Sequence, residues 1–161
     1  MEGDIIVYLG LGSNLGDRKV NLTKSLEFLT QRLRIEKSSS IYETEPMYNP
    51  DQPLFLNMVC QVTTRLAPAQ LLTLLKGIES KMGRRGTGPI PRVIDFDILF
   101  YGDQVVNTPD LVIPHPRLAE RAFVLVPIND IAPELKHPVS KKTMKELLEV
   151  VEGIKGVTRF A

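Results

Sequence analysis

The chain has 161 residues, 43% hydrophobic and 24% charged, so it can bury the core of one domain and is not a disordered tail. A net charge of +1 excludes the strong basic excess of duplex-DNA-binding proteins, and the single cysteine, Cys60, excludes an intramolecular disulfide and a zinc site built on cysteines. The sequence shows no signal peptide and no apolar run long enough to cross a bilayer, so we expect a cytoplasmic protein with no nucleic-acid or membrane partner.

The first predicted elements are a strand and a helix. The continuous apolar run at residues 5–9 is typical of a central strand that is covered on both faces, and a glycine-rich turn is predicted at residues 10–16. Asp17 is placed to cap a helix whose leucines recur along one face from Leu22 to Leu33.

Two strands and a second helix follow. Strands are predicted over residues 35–45 and 54–65, separated by a loop at residues 47–53 that is rich in turn-forming residues. Pro68 suits the first turn of a helix, and apolar residues recur at helical spacing from Leu71 to Met82.

The rest of the sequence predicts a glycine- and arginine-rich loop at residues 83–92 and a fourth strand over residues 93–101. An apolar segment lies at residues 123–128. Thr143 and Glu146 have the spacing of a capping box at the start of a last helix.

The predicted order is strand, helix, strand, strand, helix, strand. This is the split-βαβ pattern of a ferredoxin-like α+β sandwich, in which helices pack on one face of an antiparallel sheet, and we expect the C-terminal third to be an elaboration of that core. No repeat, linker or low-complexity tract interrupts the sequence, so we assign residues 1–161 to a single domain.

Two aspartates in the fourth predicted strand are candidate metal ligands. Asp95 and Asp97 would share one strand face about 6.6 Å apart, where they would repel each other by roughly 2 kcal/mol at an effective dielectric constant near 20. Because their neighbours are apolar, a divalent cation with oxygen ligands would relieve this cost, and magnesium shared with nucleotide phosphates fits best. A solvated strand edge without a ligand is the alternative.

The loop before these acids carries Arg84, Arg85 and Arg92 among glycines and prolines. Arginines bind phosphate oxygens in a bidentate manner, and a closing cationic loop would exclude water from a phosphoryl-transfer site. An ordinary solvated basic loop is the alternative.

Three other features suggest ligand binding. Phe55 and Asn57 share a strand face and suit a flat heterocycle that needs stacking and edge hydrogen bonds, although core packing would also explain Phe55. Asn14, in the glycine-rich turn, could hold a neighbouring loop or a ligand through its amide. His115 lies between two prolines and could contact phosphate or be structural.

Taken together, the sequence resembles the 6-hydroxymethyl-7,8-dihydropterin pyrophosphokinases of folate biosynthesis. The resemblance rests on the order and spacing of several short motifs from residue 7 to residue 135. They are LGSNLGD at 11–17, YETEP at 42–46, QPLFLN at 52–57, IE at 78–79, GR at 83–84, PRVIDFDIL at 91–99, PHPR at 114–117 and RAF at 121–123.

The resemblance implies a monomer that uses ATP as co-substrate and binds two Mg²⁺ ions through Asp95 and Asp97. The residues that it implies for the pterin substrate are Thr44, Glu45, Pro46, Phe55, Asn57 and Phe123, with Phe55 and Phe123 on opposite faces of the ring. The residues that it implies for ATP are Glu79, Arg84, Arg92, Ile98, His115 and Arg121.

The implied reaction is attack of the pterin hydroxyl on the β-phosphorus of ATP, with AMP leaving. Arg84, Arg92 and Asp97 are the candidate catalytic residues, Asp97 as the group that could take the hydroxyl proton. The family usually has Gly-Pro-Arg before the two acids, whereas this chain has GPIPR at 88–92. A glycosyltransferase with an Asp-x-Asp metal site and a non-catalytic ligand-binding module are the rival functions.

Overall fold

The computed structural model describes residues 4–45, 53–83 and 93–160. The predicted loops at 47–53 and 83–92 fall almost wholly outside these ranges. The predicted site residues Pro46, Arg84 and Arg92, and with them Arg85, therefore lie outside the described residues.

The described residues form a mixed α/β structure with an antiparallel sheet. The strands of the structure are β1 Ile5–Ser13, β2 Arg34–Ser38, β3 Tyr42–Thr44, β4 Phe55–Thr64, β5 Asp95–Tyr101, β6 Val106–Asn107, β7 Val112–Ile113 and β8 Val157–Arg159. β6 and β7 pair with each other in a separate two-stranded sheet. The α-helices are α1 Arg18–Thr30, α2 Pro68–Lys81, α3 Ala122–Ile131 and α4 Met144–Val150.

The main sheet has the strand order β5-β1-β4-β3-β8, and β2 also pairs with β4. The prediction of one strand over residues 35–45 is wrong because the chain leaves the ladder between β2 and β3. There, Ser39 exchanges hydrogen bonds with Val59 through its own N–H and hydroxyl, and the Ser40 N–H donates to Asp130. Both strands then lie beside β4.

The glycine-rich turn predicted at residues 10–16 is wrong over its first half. β1 continues to Ser13, because Gly10 and Gly12 are paired on both sides, with β4 and with β5. The predicted cap at Asp17 is confirmed, since its carboxylate accepts a hydrogen bond from the Val20 N–H.

Helices cover both faces of the sheet, so the expectation of helices on one face holds for α1 and α2 alone. Alternate β1 residues such as Leu9 pack with the leucines of α1 and α2, whereas Tyr8 packs with α3 and α4. The apolar segment predicted at residues 123–128 is part of α3, and its Pro127 is buried inside that helix. None of the helices in the described ranges is long and apolar enough to cross a bilayer.

The end of the chain adds a strand that the sequence analysis did not predict. Thr143 and Glu146 form the expected capping box of α4. After α4 the chain turns at Gly153, whose φ of 90° favours glycine, and β8 pairs with β3 at the edge of the sheet.

Candidate active site

Three neighbouring strands bring the predicted metal ligands and the predicted pterin residues to one face of the sheet. In β1, Gly12 lies opposite Asp95 of β5 on one side and opposite Asn57 of β4 on the other. Directly opposed residues of antiparallel strands point to the same face, and so do residues two apart along one strand. Asp97 and Phe55 therefore share this face with Asp95 and Asn57.

The strand on the other side of β4 is β3, in which Thr44 lies opposite Phe55. The Asn57 amide nitrogen donates a hydrogen bond of 2.5 Å to the Thr44 hydroxyl, and both side chains are buried. This bond fixes which way the amide faces, since the nitrogen is committed to Thr44 and the oxygen is directed toward Gly12.

Gly12 is a site residue that the sequence analysis missed. A Cβ atom at this position would lie 2.6 Å from Asn57 Oδ1 and 3.3 Å from Phe55 Cδ1, so the absence of a side chain allows both residues to lie over β1. The spacing of Gly10 and Gly12 is period 2, which could have indicated a bare strand face rather than a turn.

His115 and Arg121 approach the same acid from above the sheet. His115 Nε2 lies 3.8 Å from Asp97 Oδ1, and Arg121 Nη1 lies 3.8 Å from Asp97 Oδ2. Both distances are too long for a hydrogen bond. The His115 and Arg121 side chains are nevertheless close enough to Asp97 to bind a phosphate oxygen held beside its carboxylate. The structure thus brings together Asp97, His115 and Arg121, three of the predicted site residues.

Burial, then the charges of Arg121 and Arg117, lower the pKa of His115 to about 4. The ring is therefore neutral at pH 7. Its Nδ1 accepts a hydrogen bond from the Arg117 backbone N–H, which assigns the proton to Nε2, the nitrogen that faces Asp97. His115 can act there as a neutral hydrogen-bond donor.

Arg121 also connects the acid to the predicted pterin residue Phe123. Its guanidinium carbon lies 5.3 Å from the centre of the Phe123 ring, within the range of a cation–π contact. Phe123 is in the first turn of α3, immediately after Arg121 and Ala122. The arrangement places a cation between the region of Asp97 and an aromatic side chain.

Glu79 and Ile98, the other predicted ATP residues that the structure describes, are not on this face. Ile98 is buried among the apolar residues that pack against α2. Glu79 of α2 is 5% exposed, and its Oε2 accepts a 2.8 Å hydrogen bond from the backbone N–H of Phe96, the residue between the two acids. The four predicted ATP residues within the described ranges are therefore divided between the two faces of the sheet at β5, an edge strand.

A cavity of about 170 Å³ adjoins the pterin-side residues. Thr44, Glu45 and Phe123 line it, together with Gly153 and Val157 from the end of the chain. No sequence pattern predicts a role for this terminal segment in the site, because its pairing with β3 is long-range.

The donor set at the two acids fits magnesium better than a metal that needs a full protein cage. Within residues 4–45, 53–83 and 93–160, no three His, Cys, Asp or Glu side chains converge on one point that could hold a metal ion. Magnesium commonly takes one or two carboxylates and completes its shell with water and phosphate oxygens. Asp95 and Asp97 supply that kind of partial shell.

Comparison with known proteins identifies the family. Residues 8–133 match the family model described as 7,8-dihydro-6-hydroxymethylpterin-pyrophosphokinase (HPPK). The chain belongs to this family. The predicted resemblance is thereby confirmed, and the HPPK match includes every predicted site residue.

Relatives of this HPPK chain come from bacteria and from eukaryotes. The 2-amino-4-hydroxy-6-hydroxymethyldihydropteridine pyrophosphokinase of Bacillus subtilis is 40% identical over 96% of this chain and 95% of its own length. The folic acid synthesis protein fol1 of Pneumocystis carinii is 44% identical over 96% of this chain, which corresponds to 21% of that protein. The chain thus spans about a fifth of the length of the fungal and slime-mould relatives that it matches.

Solved structures support the HPPK fold. The structure of Plasmodium falciparum HPPK-DHPS wild type with pteroate has a TM-score of 0.74 over 91% of this chain and 42% of that chain. Sequence identity is 21%, so this likeness supports the fold alone.

Proposed function

We propose that this chain transfers the diphosphate of ATP to the hydroxymethyl group of 6-hydroxymethyl-7,8-dihydropterin and releases AMP, a step in folate biosynthesis. The observation that carries the proposal is the single sheet face on which Asp95 and Asp97 lie beside Phe55 and Asn57. The two acids on β5 and the aromatic ring and amide on β4 thus flank β1, which is the arrangement that the proposed cation and pterin sites need. Membership of the HPPK family supports the same reaction.

The protein's own groups have distinct roles in this proposal. Asn57, whose amide is fixed by Thr44, hydrogen-bonds the edge of the pterin, and Phe55 stacks on its ring together with Phe123. Arg121 and the neutral His115 donate hydrogen bonds to phosphate oxygens near Asp97. Holding both substrates on one rigid sheet orients the hydroxyl for attack.

Asp95 and Asp97 would hold magnesium, two ions if the family pattern applies, which neutralises phosphate charge when it is bound. Asp97 is the nearest candidate to take the hydroxyl proton. A loose phosphoryl-transfer transition state needs little help from a base, so binding and charge neutralisation carry most of the rate. Arg84 and Arg92 remain predicted catalytic residues, and Glu45, Pro46, Glu79 and Ile98 remain predicted binding residues.

Finer features of the assignment belong to the proposal as well. The strand order with two helices on one face is consistent with a ferredoxin-like core, to which α3 and α4 add a layer on the other face and β8 adds an edge strand. The expectations of one domain over residues 1–161, a monomer, a cytoplasmic location and no nucleic-acid or membrane partner stay predictions.

The decisive test is an assay of nucleotide products. The protein is incubated with ATP and magnesium, with and without 6-hydroxymethyl-7,8-dihydropterin, and AMP and ADP are separated by chromatography. We expect AMP in the presence of the pterin and magnesium, and none when either is omitted. Release of ADP, or AMP formation that does not depend on the pterin, contradicts the proposal and favours another nucleotide-dependent reaction.

A further inference from the structure

Arg18, the first residue of α1, contacts three segments that surround the pterin side of the site. Its Nη1 lies 2.8 Å from Glu43 Oε2 on β3 and donates a 3.0 Å hydrogen bond to the backbone carbonyl of Leu54. Its guanidinium carbon lies 5.8 Å from the ring centre of Phe160. We call Arg18, Glu43, Leu54 and Phe160 the Arg18 clamp.

Two partners of Arg18 in the clamp each precede a residue of the proposed pterin site in the chain. Glu43 precedes Thr44, the partner of the Asn57 amide, and Leu54 precedes Phe55. The preceding carbonyl, that of Pro53, accepts from the Asn14 amide at 3.3 Å. Asn14 and Arg18, both after β1, therefore hold the carbonyls of Pro53 and Leu54, the two residues before β4.

The third partner, Phe160, belongs to the end of the chain. The Phe160 N–H donates to the Ile41 carbonyl just before β3, and β8 pairs with β3 through Thr44↔Val157. Val157 lines the cavity that Thr44 and Phe123 also line. The guanidinium of Arg18 thus joins the start of β4 to the outer edge of β3 and to β8.

We propose that Arg18 is a positioning residue for the pterin, acting through the Arg18 clamp, and that β8 is part of the pterin side of the site. The planar guanidinium serves an anion, a carbonyl and a ring with its donors held in a fixed geometry, whereas an ammonium group lacks that plane and the fixed donor directions. Arg18 and Glu43 are 25% and 32% exposed, so their attraction is only partly screened by water. The inference rests on the proposed function.

The test compares Arg18→Ala, Arg18→Lys and Phe160→Ala by the affinities for pterin and for ATP, measured separately by calorimetry. Arg18→Ala should raise the Kd for the pterin roughly fivefold and leave the Kd for ATP within about twofold. The Kd of Arg18→Lys for the pterin should lie between those of Arg18→Ala and the parent, because lysine keeps the charge but loses the planar contact with Phe160. The double variant Arg18→Ala/Phe160→Ala should raise the Kd for the pterin by less than the product of the two single fold-increases, because both changes disrupt the same clamp.

Arg65→Ala is the matched control. Arg65 also pairs with a carboxylate, Asp4, at 3.0 Å, but it follows the other end of β4, about 30 Å of strand from Leu54. This variant should bind the pterin as the parent does. Equal weakening of pterin and ATP binding by Arg18→Ala, or an unchanged Kd for both, would overturn the inference.

A second measurement needs no substrate. Amide hydrogen exchange should become faster at residues 42–45 and 53–57 in Arg18→Ala than in Arg65→Ala, because the clamp holds both segments. If the parent protein binds no pterin, the proposed function fails, and this exchange pattern still decides whether the clamp exists. Unchanged exchange at both segments contradicts the clamp whatever the protein binds.

Discussion

Gly12 shows how one missing side chain shapes the site. The Asn57 amide and the Phe55 ring both lie over the bare backbone of β1 at this position, and a methyl group would enter the space of the amide oxygen. The strand is central, so it cannot move aside without breaking its pairing with β4 and β5. The need for glycine here is steric.

We therefore predict that Gly12→Ala displaces Asn57. The variant should lose about 1–3 kcal/mol of unfolding free energy through overpacking, and its affinity for the pterin should fall. Gly10→Ala is the control for stability, because a Cβ there would meet its nearest neighbours, the methyl carbons of Leu99, at an ordinary 3.7 Å. Denaturant unfolding and pterin titration of both variants test this, and equal stability of the two would contradict the steric reason.

Asp97 carries a second prediction at the residue scale. Asp97→Asn keeps the shape of the side chain and removes its charge, so magnesium-dependent turnover should fall by on the order of 100-fold or more, while the fold is retained. Asp103→Asn changes an exposed aspartate in the turn after β5 and should leave turnover unchanged. Parental activity of Asp97→Asn at saturating magnesium would exclude Asp97 as a ligand.

At the scale of elements, local patterns were predicted well and long-range ones were not. The caps at Asp17 and Thr143 and the first turn at Pro68 depend on residues within a few positions, so the sequence contains the whole reason for them. The shared face of Asp95 and Asp97 follows from strand periodicity in the same way.

Elements that depend on distant partners escaped prediction. The break between β2 and β3 depends on Ser39 meeting Val59 and on Asp130 of α3 meeting Ser40. The hydrogen bond from Phe96 to Glu79 and the pairing of β8 with β3 likewise join segments far apart in sequence. The resemblance assigned both Ile98 and His115 to the ATP side, although strand periodicity alone places Ile98 on the opposite face of β5 from Asp97.

The capping box of α4 provides a prediction at this scale. Thr143→Ala should cost about 1 kcal/mol of unfolding free energy and lower the Tm by roughly 3 °C, with no change in KM for either substrate. The hydrogen bonds from the Thr143 N–H and hydroxyl lower the pKa of Glu146. The stabilising effect of the Glu146 carboxylate is thus present above the usual value of 4.5 and is lost as the pH falls below it. The stability difference between parent and variant should therefore narrow in acid but persist, because the hydrogen bond from the Glu146 N–H to the Thr143 hydroxyl does not titrate. A pH series of melting curves checks both statements.

At the scale of the whole molecule, two apolar layers enclose one sheet. α1 and α2 bury one face and α3 and α4 bury the other, so β4 is covered on both sides and Cys60 at its centre is fully buried. Burial raises the pKa of the Cys60 thiol to about 12. The folded protein retains this proton where the unfolded chain loses it, so the contribution of Cys60 to stability declines as the pH rises from about 8.5 toward 12.

Cys60 should therefore report on global unfolding. At pH 8 a thiol reagent such as dithiobis(nitrobenzoate) should label the native protein slowly, at a rate that rises with denaturant in parallel with unfolding. The same reagent should label one thiol at once in the fully denatured protein. Labelling of the native protein as fast as the denatured one would contradict a closed double-layered core.

The hydrogen bond that fixes the His115 ring also affects which cations the site can favour. Because Nδ1 is occupied by the Arg117 N–H, the nitrogen nearest Asp97 carries a proton and has no lone pair to offer a metal. Zinc and copper, which favour imidazole nitrogen, would gain nothing from this histidine and would compete for Asp97 as oxygen ligands alone. A single backbone amide thereby leaves carboxylate oxygen as the ligand beside His115, which is the ligand type that the proposed magnesium site requires.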